Sequence, residues 1–151
     1  MKRAMMMALM VLGMATLAQA QTNEWFTDLP KAQSKAASEK KTVFMDFTGS
    51  DWCPPCKALK KNVLSSPEFE AYAKKNLVLV EVDFPKSKPQ SEELKKANEE
   101  LSKRFNVEGY PTVILLSPEG KELSKATGYG GESPKAFIQK LDTAAKKEKA
   151  S

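Results

Sequence analysis

The sequence predicts one α/β domain: a mixed, largely parallel sheet of about four to five strands, flanked by helices, with an extra helix at its N-terminal end. Three observations predict it. The 151 residues suit a single core. Short apolar, β-rich runs alternate with stretches of helical periodicity, the pattern of crossover-connected parallel strands. The last two strand-like runs flank a tight turn, so they form a hairpin that adds an antiparallel edge.

The elements follow in chain order. Residues 1–20 have the layout of a secretory signal peptide: Lys2 and Arg3 make a positive start, an apolar, Met-rich run extends to Leu17, and Ala18-Gln19-Ala20 is a small-x-small cleavage signal. The apolar run is short for a bilayer span, which needs roughly 20 residues; a retained anchor is the alternative. The folded domain is expected over 21–151. Glu24 to Lys40 places Trp25, Phe26, Leu29, Ala32 and Ala36 at near-helical spacing and reads as a packing helix restarted at Pro30. Thr42 to Phe47 is a strand apolar enough to be buried on both faces. A loop, Thr48 to Trp52, leads into a helix from Cys53 to about Leu64. Ser66-Pro67 starts another, with Ser66 as cap and Pro67 in the first turn, and Phe69 and Tyr72 facing the core.

Leu77 to Val82 is the second strand and Phe84 to Gln90 a Pro- and Lys-bearing loop. Ser91 to Phe105 is helical, with Leu94, Ala97, Leu101 and Phe105 on one stripe. Thr112 to Leu116 is a third strand, Ser117 to Gly120 a turn, and Lys121 to Thr127 the hairpin partner. A Gly-rich loop at Gly128, Gly130 and Gly131 precedes a closing helix from Ser133 to about Lys146, with Ala136, Phe137, Leu141 and Ala144 inward.

Composition removes several functions. The net charge is +5, and two of those charges belong to Lys2 and Arg3. The lysines are interspersed with Glu and form no Arg-rich or aromatic-interleaved patch, so nucleic acid is not an expected partner. The chain has no His, which excludes Ser-His-Asp and Cys-His catalysis within it. Two Cys fall short of the four ligands of a closed zinc site, so no metal is expected.

The two cysteines, Cys53 and Cys56, are separated only by Pro54 and Pro55. A bridge closing so short a loop removes little chain entropy, so its use is chemical rather than structural. Cys53 falls where a strand ends and a helix begins. There the helix dipole and free backbone N–H groups favour the thiolate, the attacking species. Cys56 lies one turn later and can resolve a mixed disulfide. The prolines fit the first turn and stiffen it, but they remove two donors, leaving the N–H groups of Cys56 and Lys57. Moderate thiolate stabilisation follows, with a Cys53 pKa nearer a reductant's (~7) than a strong oxidant's (~3.5). The Lys57 charge also acts there.

Asp46-Phe47 with Asp51-Trp52-Cys53-Pro54-Pro55-Cys56-Lys57 resembles the active-site segment of the thioredoxins. Gly109-Tyr110-Pro111-Thr112 resembles their cis-proline loop, and Gly128 the glycine after their last hairpin. The resemblance spans roughly Lys40 to Ala145 and implies the thioredoxin fold. It implies that Cys53 is the nucleophile, Cys56 the resolving thiol, and Pro111 a cis residue packed on the disulfide. It implies further that the Tyr110 backbone pairs with an extended substrate strand, that Trp52 shields the sulfurs and forms part of the docking surface, and that Asp46 is a buried carboxylate taking the Cys56 proton.

Two departures stand out. The family's acid lies six positions before the first Cys and Asp46 seven, an extra residue that Gly49-Ser50 can absorb as a bulge. The lysine that thioredoxin sets beside that acid has no counterpart, since Leu79 stands there and the nearby Glu81 carries the opposite sign. The bland alternatives are a backbone-bonded strand-end Asp46, a packing Trp52 and a plain surface Lys57; Asp51 reads as a solvated loop acid rather than one beside the sulfurs, and Tyr129 as structural rather than substrate-contacting.

The functional expectation is an exported thiol–disulfide oxidoreductase of periplasmic or secreted location, similar to the bacterial TlpA-type reductases and to the terminal domain of the membrane thiol:disulfide interchange protein. It would exchange its disulfide with protein thiols and disulfides, need no cofactor beyond that disulfide, draw electrons from a membrane-borne donor, and hold no stable membrane insertion once the signal is removed. An oxidase or isomerase, and a non-catalytic binding or chaperone module, are the alternatives. A copper chaperone is disfavoured by the two-residue spacing and the missing His.

Overall fold

The computed structural model describes residues 22–149; the expected signal peptide lies outside them. The order is β1 (Trp25–Phe26), α1 (Leu29–Glu39), β2 (Thr42–Thr48), α2 (Pro54–Leu59, continuing through Lys60–Leu64), α3 (Pro67–Asn76), β3 (Leu77–Asp83), α4 (Glu92–Arg104), β4 (Thr112–Leu116), β5 (Glu122–Thr127) and α5 (Pro134–Lys149). The strands form one five-stranded sheet in the order β1-β3-β2-β4-β5. β1 and β2 run parallel to β3, and β4 is antiparallel to β2 and β5. This is the mixed sheet the sequence predicts.

The helices divide between two faces because strand side chains alternate. Val43, Met45 and Phe47 of β2 point to one side, where they meet Leu29, Ala32 and Ala36 of α1 and Phe105 beyond α4. Phe44 points to the other, against Leu59, Val63 and Leu64 of α2, Phe69 of α3, and Phe137 and Leu141 of α5. Phe44 is the hub of that second core: its ring makes edge contacts with Trp25 at 6.1 Å, Phe69 at 5.5 Å and Phe137 at 6.3 Å. Asp46, two residues on, is thereby aimed at the same side as Phe44, beneath α2.

Capping residues set the helix starts. Asp28 accepts from Lys31 N–H, Ser66 from Phe69 N–H and Ser91 from Leu94 N–H, each satisfying a donor that a helix N-terminus leaves open. Two expectations are corrected. Trp25 and Phe26 are not helical but form β1 beside β3, and they pack on opposite cores, Trp25 with the Phe44 side and Phe26 with the other. An i, i+1 aromatic pair on a two-sided sheet fills both layers, whereas a helix would place both rings on adjoining stripes of one face. The α4 stripe is also shallower than its periodicity suggests. Leu94 and Leu101 are half-buried and Ala97 exposed, while Asn98 is buried. The cause is polar: the Asn98 amide donates to the Asp83 carbonyl at 3.0 Å, so this helix is fixed to the end of β3 by hydrogen bonding.

Candidate active site

The site grows out of the C-terminal end of β2. After Thr48 the chain turns at Gly49, whose carbonyl accepts from the N–H groups of both Trp52 and Cys53 at 3.2 and 2.9 Å. Gly49 has no alternative here, because a Cβ would lie inside the Trp52 indole. Ser50 secures the turn with its N–H and hydroxyl, both donated to the Asp83 carboxylate at 3.0 and 2.6 Å.

Cys53 is the N-cap of α2 and Cys56 sits in its first turn. They form a disulfide with Cα atoms 5.3 Å apart, and each is 3% exposed. Burial therefore does not rank the two sulfurs; the helix does, since Cys53 stands at its open end. One sequence expectation is corrected here. The Lys57 N–H is spent on the Cys53 carbonyl at 3.1 Å, closing the first turn of the helix. With Pro54 and Pro55 lacking donors, the Cys56 N–H is the one first-turn donor left for a Cys53 thiolate. Beyond Leu59 the winding widens, with Ser65 N–H reaching the Lys60 carbonyl five residues back at 2.9 Å. Such local widening often marks functional helices.

Tyr110-Pro111 is cis, as the resemblance implies. Its loop is held by the Thr112 hydroxyl donating to the Gly109 carbonyl at 2.7 Å and by Gly128 N–H donating to the Pro111 carbonyl at 2.7 Å. Trp52 and Tyr110 meet edge to face at 5.9 Å, so the loop before the cysteines and the loop before β4 share one surface. Phe84 joins them, 5.3 Å from Tyr110. Trp52 is half-buried, and its indole N–H donates to the Phe84 carbonyl at 2.8 Å. It is thus both packed and presented beside Cys53.

Asp46 lies beneath α2 and is 5% exposed. Its Oδ1 has no hydrogen-bond partner, which disposes of the backbone-bonded alternative for that oxygen. Burial pushes its pKa up to about 7, repulsion from Glu81 and more weakly Asp83 adds to the rise, and Lys60 opposes it. Asp46 and Cys56 line a single cavity of about 180 Å³, together with Thr48, Ser50 and Glu81 and the lysines Lys57, Lys60 and Lys61 of α2. A carboxyl poised near neutrality beside the second sulfur can accept and return its proton. Lys57 is exposed at the rim.

Sequence reasoning missed the contacts that tie the loop after β3 to the site. Asp51 is not a free loop acid: its carboxylate accepts from the backbone N–H groups of Lys86 and Lys88 at 3.0 and 2.9 Å and of Ser87 at 2.6 Å, which holds its pKa at about 2. That clamps the 84–90 loop against the site, and Lys86 Nζ stacks over the Trp52 ring at 4.1 Å. Asp83 and Phe84 complete the clamp. No local signal could have found these pairs, since they join residues 32 to 37 positions apart. The Tyr129 hydroxyl donates to the Glu132 carbonyl at 2.9 Å, in keeping with its structural reading. Among the described residues no group of three or more Cys, Asp or Glu is arranged to hold a metal ion.

Comparison with known proteins agrees with this geometry. A thioredoxin-like domain profile matches residues 29–145. The disulfide bond reductase DsbH of Chlamydia pneumoniae is 34% identical over 116 residues, covering 77% of this chain and 69% of DsbH. The thioredoxin-related protein DsbJ of the same organism is 33% identical over 83% of this chain but only 37% of its own length. The thiol:disulfide interchange protein DsbD of Klebsiella pneumoniae is 34% identical over 72% of this chain and 17% of DsbD. Among solved structures, a DsbH oxidoreductase superposes with a TM-score of 0.77 at 31% identity, covering 92% of this chain and 95% of that one. The reduced DsbD C-terminal domain of Neisseria meningitidis, at 23% identity and a TM-score of 0.60, shares the fold. With the Cys53-Cys56 disulfide, the cis-proline loop and the sheet order all in place, the chain belongs to the thioredoxin-like family, in the part of it whose members are thiol–disulfide oxidoreductases.

Proposed function

We propose that the protein is an exported thiol–disulfide reductase or interchange protein that passes two electrons from its Cys53-Cys56 dithiol to disulfides of extracytoplasmic proteins. One observation carries the reading: Cys53 caps a helix whose first turn offers its sulfur a single N–H, while Cys56 shares a cavity with a carboxyl poised near neutral pH. The Cys53 thiolate attacks one sulfur of a substrate disulfide, and the other sulfur leaves as a thiolate. Asp46 accepts the Cys56 proton, and the Cys56 thiolate then attacks Cys53 in the mixed disulfide. The substrate departs as a dithiol and the protein keeps the disulfide. The two sulfurs carry both electrons, so the reaction calls for no dissociable cofactor. Trp52, Tyr110 and the cis Pro111 form the shelf on which a substrate strand lies, and Lys57 adds positive charge at its edge.

The name of DsbH, a disulfide bond reductase, supports the reductive direction, and the leader-like pattern of residues 1–20 supports an extracytoplasmic location. An oxidising compartment then requires a donor that brings electrons across the membrane. No helix among the described residues is long and apolar enough to cross a membrane. Two measurements test the proposal: insulin reduction with dithiothreitol, and the reduction potential. Catalysed reduction with a potential near ~−270 mV is expected. A potential near ~−120 mV would make the protein an oxidase. Failure to accelerate insulin reduction would leave a binding module.

A further inference from the structure

Resting on the assignment of Asp46 as the proton acceptor for Cys56, we propose that Glu81 and Lys60 form a charge pair that tunes Asp46, in place of a single neighbouring lysine. The observations are geometric. β2 and β3 are parallel, and Asp46 is the direct register partner of Glu81. Neighbouring strands lie about 4.8 Å apart, and directly paired residues point to the same face. Both carboxyls therefore enter the cavity behind Cys56, which Lys60 also lines. Lys60 Nζ reaches Glu81 Oε2 at 3.6 Å from the opposite wall, α2. The Asp46 Oδ1 atom has no partner of its own.

The arrangement works by difference. Glu81 is partly exposed, with 27% of its side chain accessible, whereas Asp46 is buried. A carboxylate beside a buried carboxyl favours the neutral acid, and Lys60 limits that effect by occupying Glu81. The remaining charged groups facing Asp46 are Asp83 on β3 and Lys57 and Lys61 on α2. Asp83 is engaged with Ser50 and Lys88. On the other side of β2, the β4 residue in register is Val113, which carries no charge. The pair thus controls how readily Asp46 receives the Cys56 proton, and the wide winding that begins at Lys60 belongs to the segment that presents the amine to the cavity.

The test uses the full chain, oxidised for the first of two readouts and reduced for the second. The Asp46 carboxyl is titrated by 13C NMR in the parent, Glu81→Gln, Lys60→Gln and the double variant. Glu81→Gln is expected to lower the Asp46 midpoint by roughly one pH unit and Lys60→Gln to raise it, with the double variant between the two single ones. In the second readout, the pH midpoint of mixed-disulfide resolution by Cys56 is expected to move in the same directions. Unfolding curves confirm that the variants fold. Asp46 midpoints that agree in all four proteins within about 0.2 unit overturn the proposal, as does a shift of the same sign in both single variants. If the NMR midpoints shift as expected but no protein in the set resolves a mixed disulfide, the charge pair stands and the reductase assignment falls.

Discussion

Replacing Asp46 by Asn converts the buried acid into a neutral group of similar shape, and burial of the carboxyl sets the sign of the effect and its order of magnitude. The native carboxyl has its pKa raised from an ordinary 3.8 to about 7. The native state therefore holds the Asp46 proton in a range where the unfolded chain has already released it. With the folded value above the unfolded one, the Asp46 contribution is fully present below about pH 4 and is lost as pH rises toward 7. A rise of about 3 units at 1.36 kcal/mol each corresponds to about 4 kcal/mol. The Asp46→Asn variant has no such titration. The amide adds a constant cost of about 1–3 kcal/mol if its donors stay unpaired. The stability difference, variant minus parent, should climb by about 1.4 kcal/mol per pH unit between about pH 4 and pH 7 and be flat on either side. Urea unfolding of both oxidised proteins at intervals from pH 3.5 to 8.5 measures it. Taking the difference cancels other groups, such as Glu39 and Asp51, whose lowered pKa values give the opposite pH dependence. A difference that stays level across that range would refute the burial argument.

Two further outcomes follow from the clamp around the site. Gly49→Ala puts a methyl group into the Trp52 indole, so the Trp52–Tyr110 contact should break, with a shifted tryptophan emission and a destabilisation of about 1–3 kcal/mol from overpacking; an unchanged emission spectrum would contradict the packing described here. Asp51→Ala removes the acceptor of three successive N–H groups, so the amides of Lys86, Ser87 and Lys88 should lose hydrogen-exchange protection while those of β3 keep theirs. Retained protection at those amides would show that the loop holds itself.

What is legible in the sequence is whatever its own spacing encodes. Cys53 and Cys56 are three residues apart, and Pro111 lies between a Gly-Tyr pair and an apolar strand, so both stand out with the fold around them. The β2, β3 and β4 runs are apolar enough to announce themselves, because the sheet is covered on both faces. Trp25-Phe26 misleads because two residues give no period, and their strand character comes from β3 rather than from propensity. The neighbours of Asp46 are hidden for a related reason: pairing with Glu81 is fixed by a parallel register spanning 35 residues, and Lys60 arrives from a different element. The Lys57 N–H looks available to Cys53 until the helix closes its first turn with it.

The division of labour between the two sulfurs is tested most directly by trapping. The Cys56→Ser variant, reduced and then offered a substrate disulfide, should accumulate a mixed disulfide mapped by mass spectrometry to Cys53, and Cys53→Ser should accumulate none. An adduct that forms on Cys56 in the Cys53→Ser variant, and not on Cys53 in its counterpart, would reverse the roles assigned to the two ends of the helix turn.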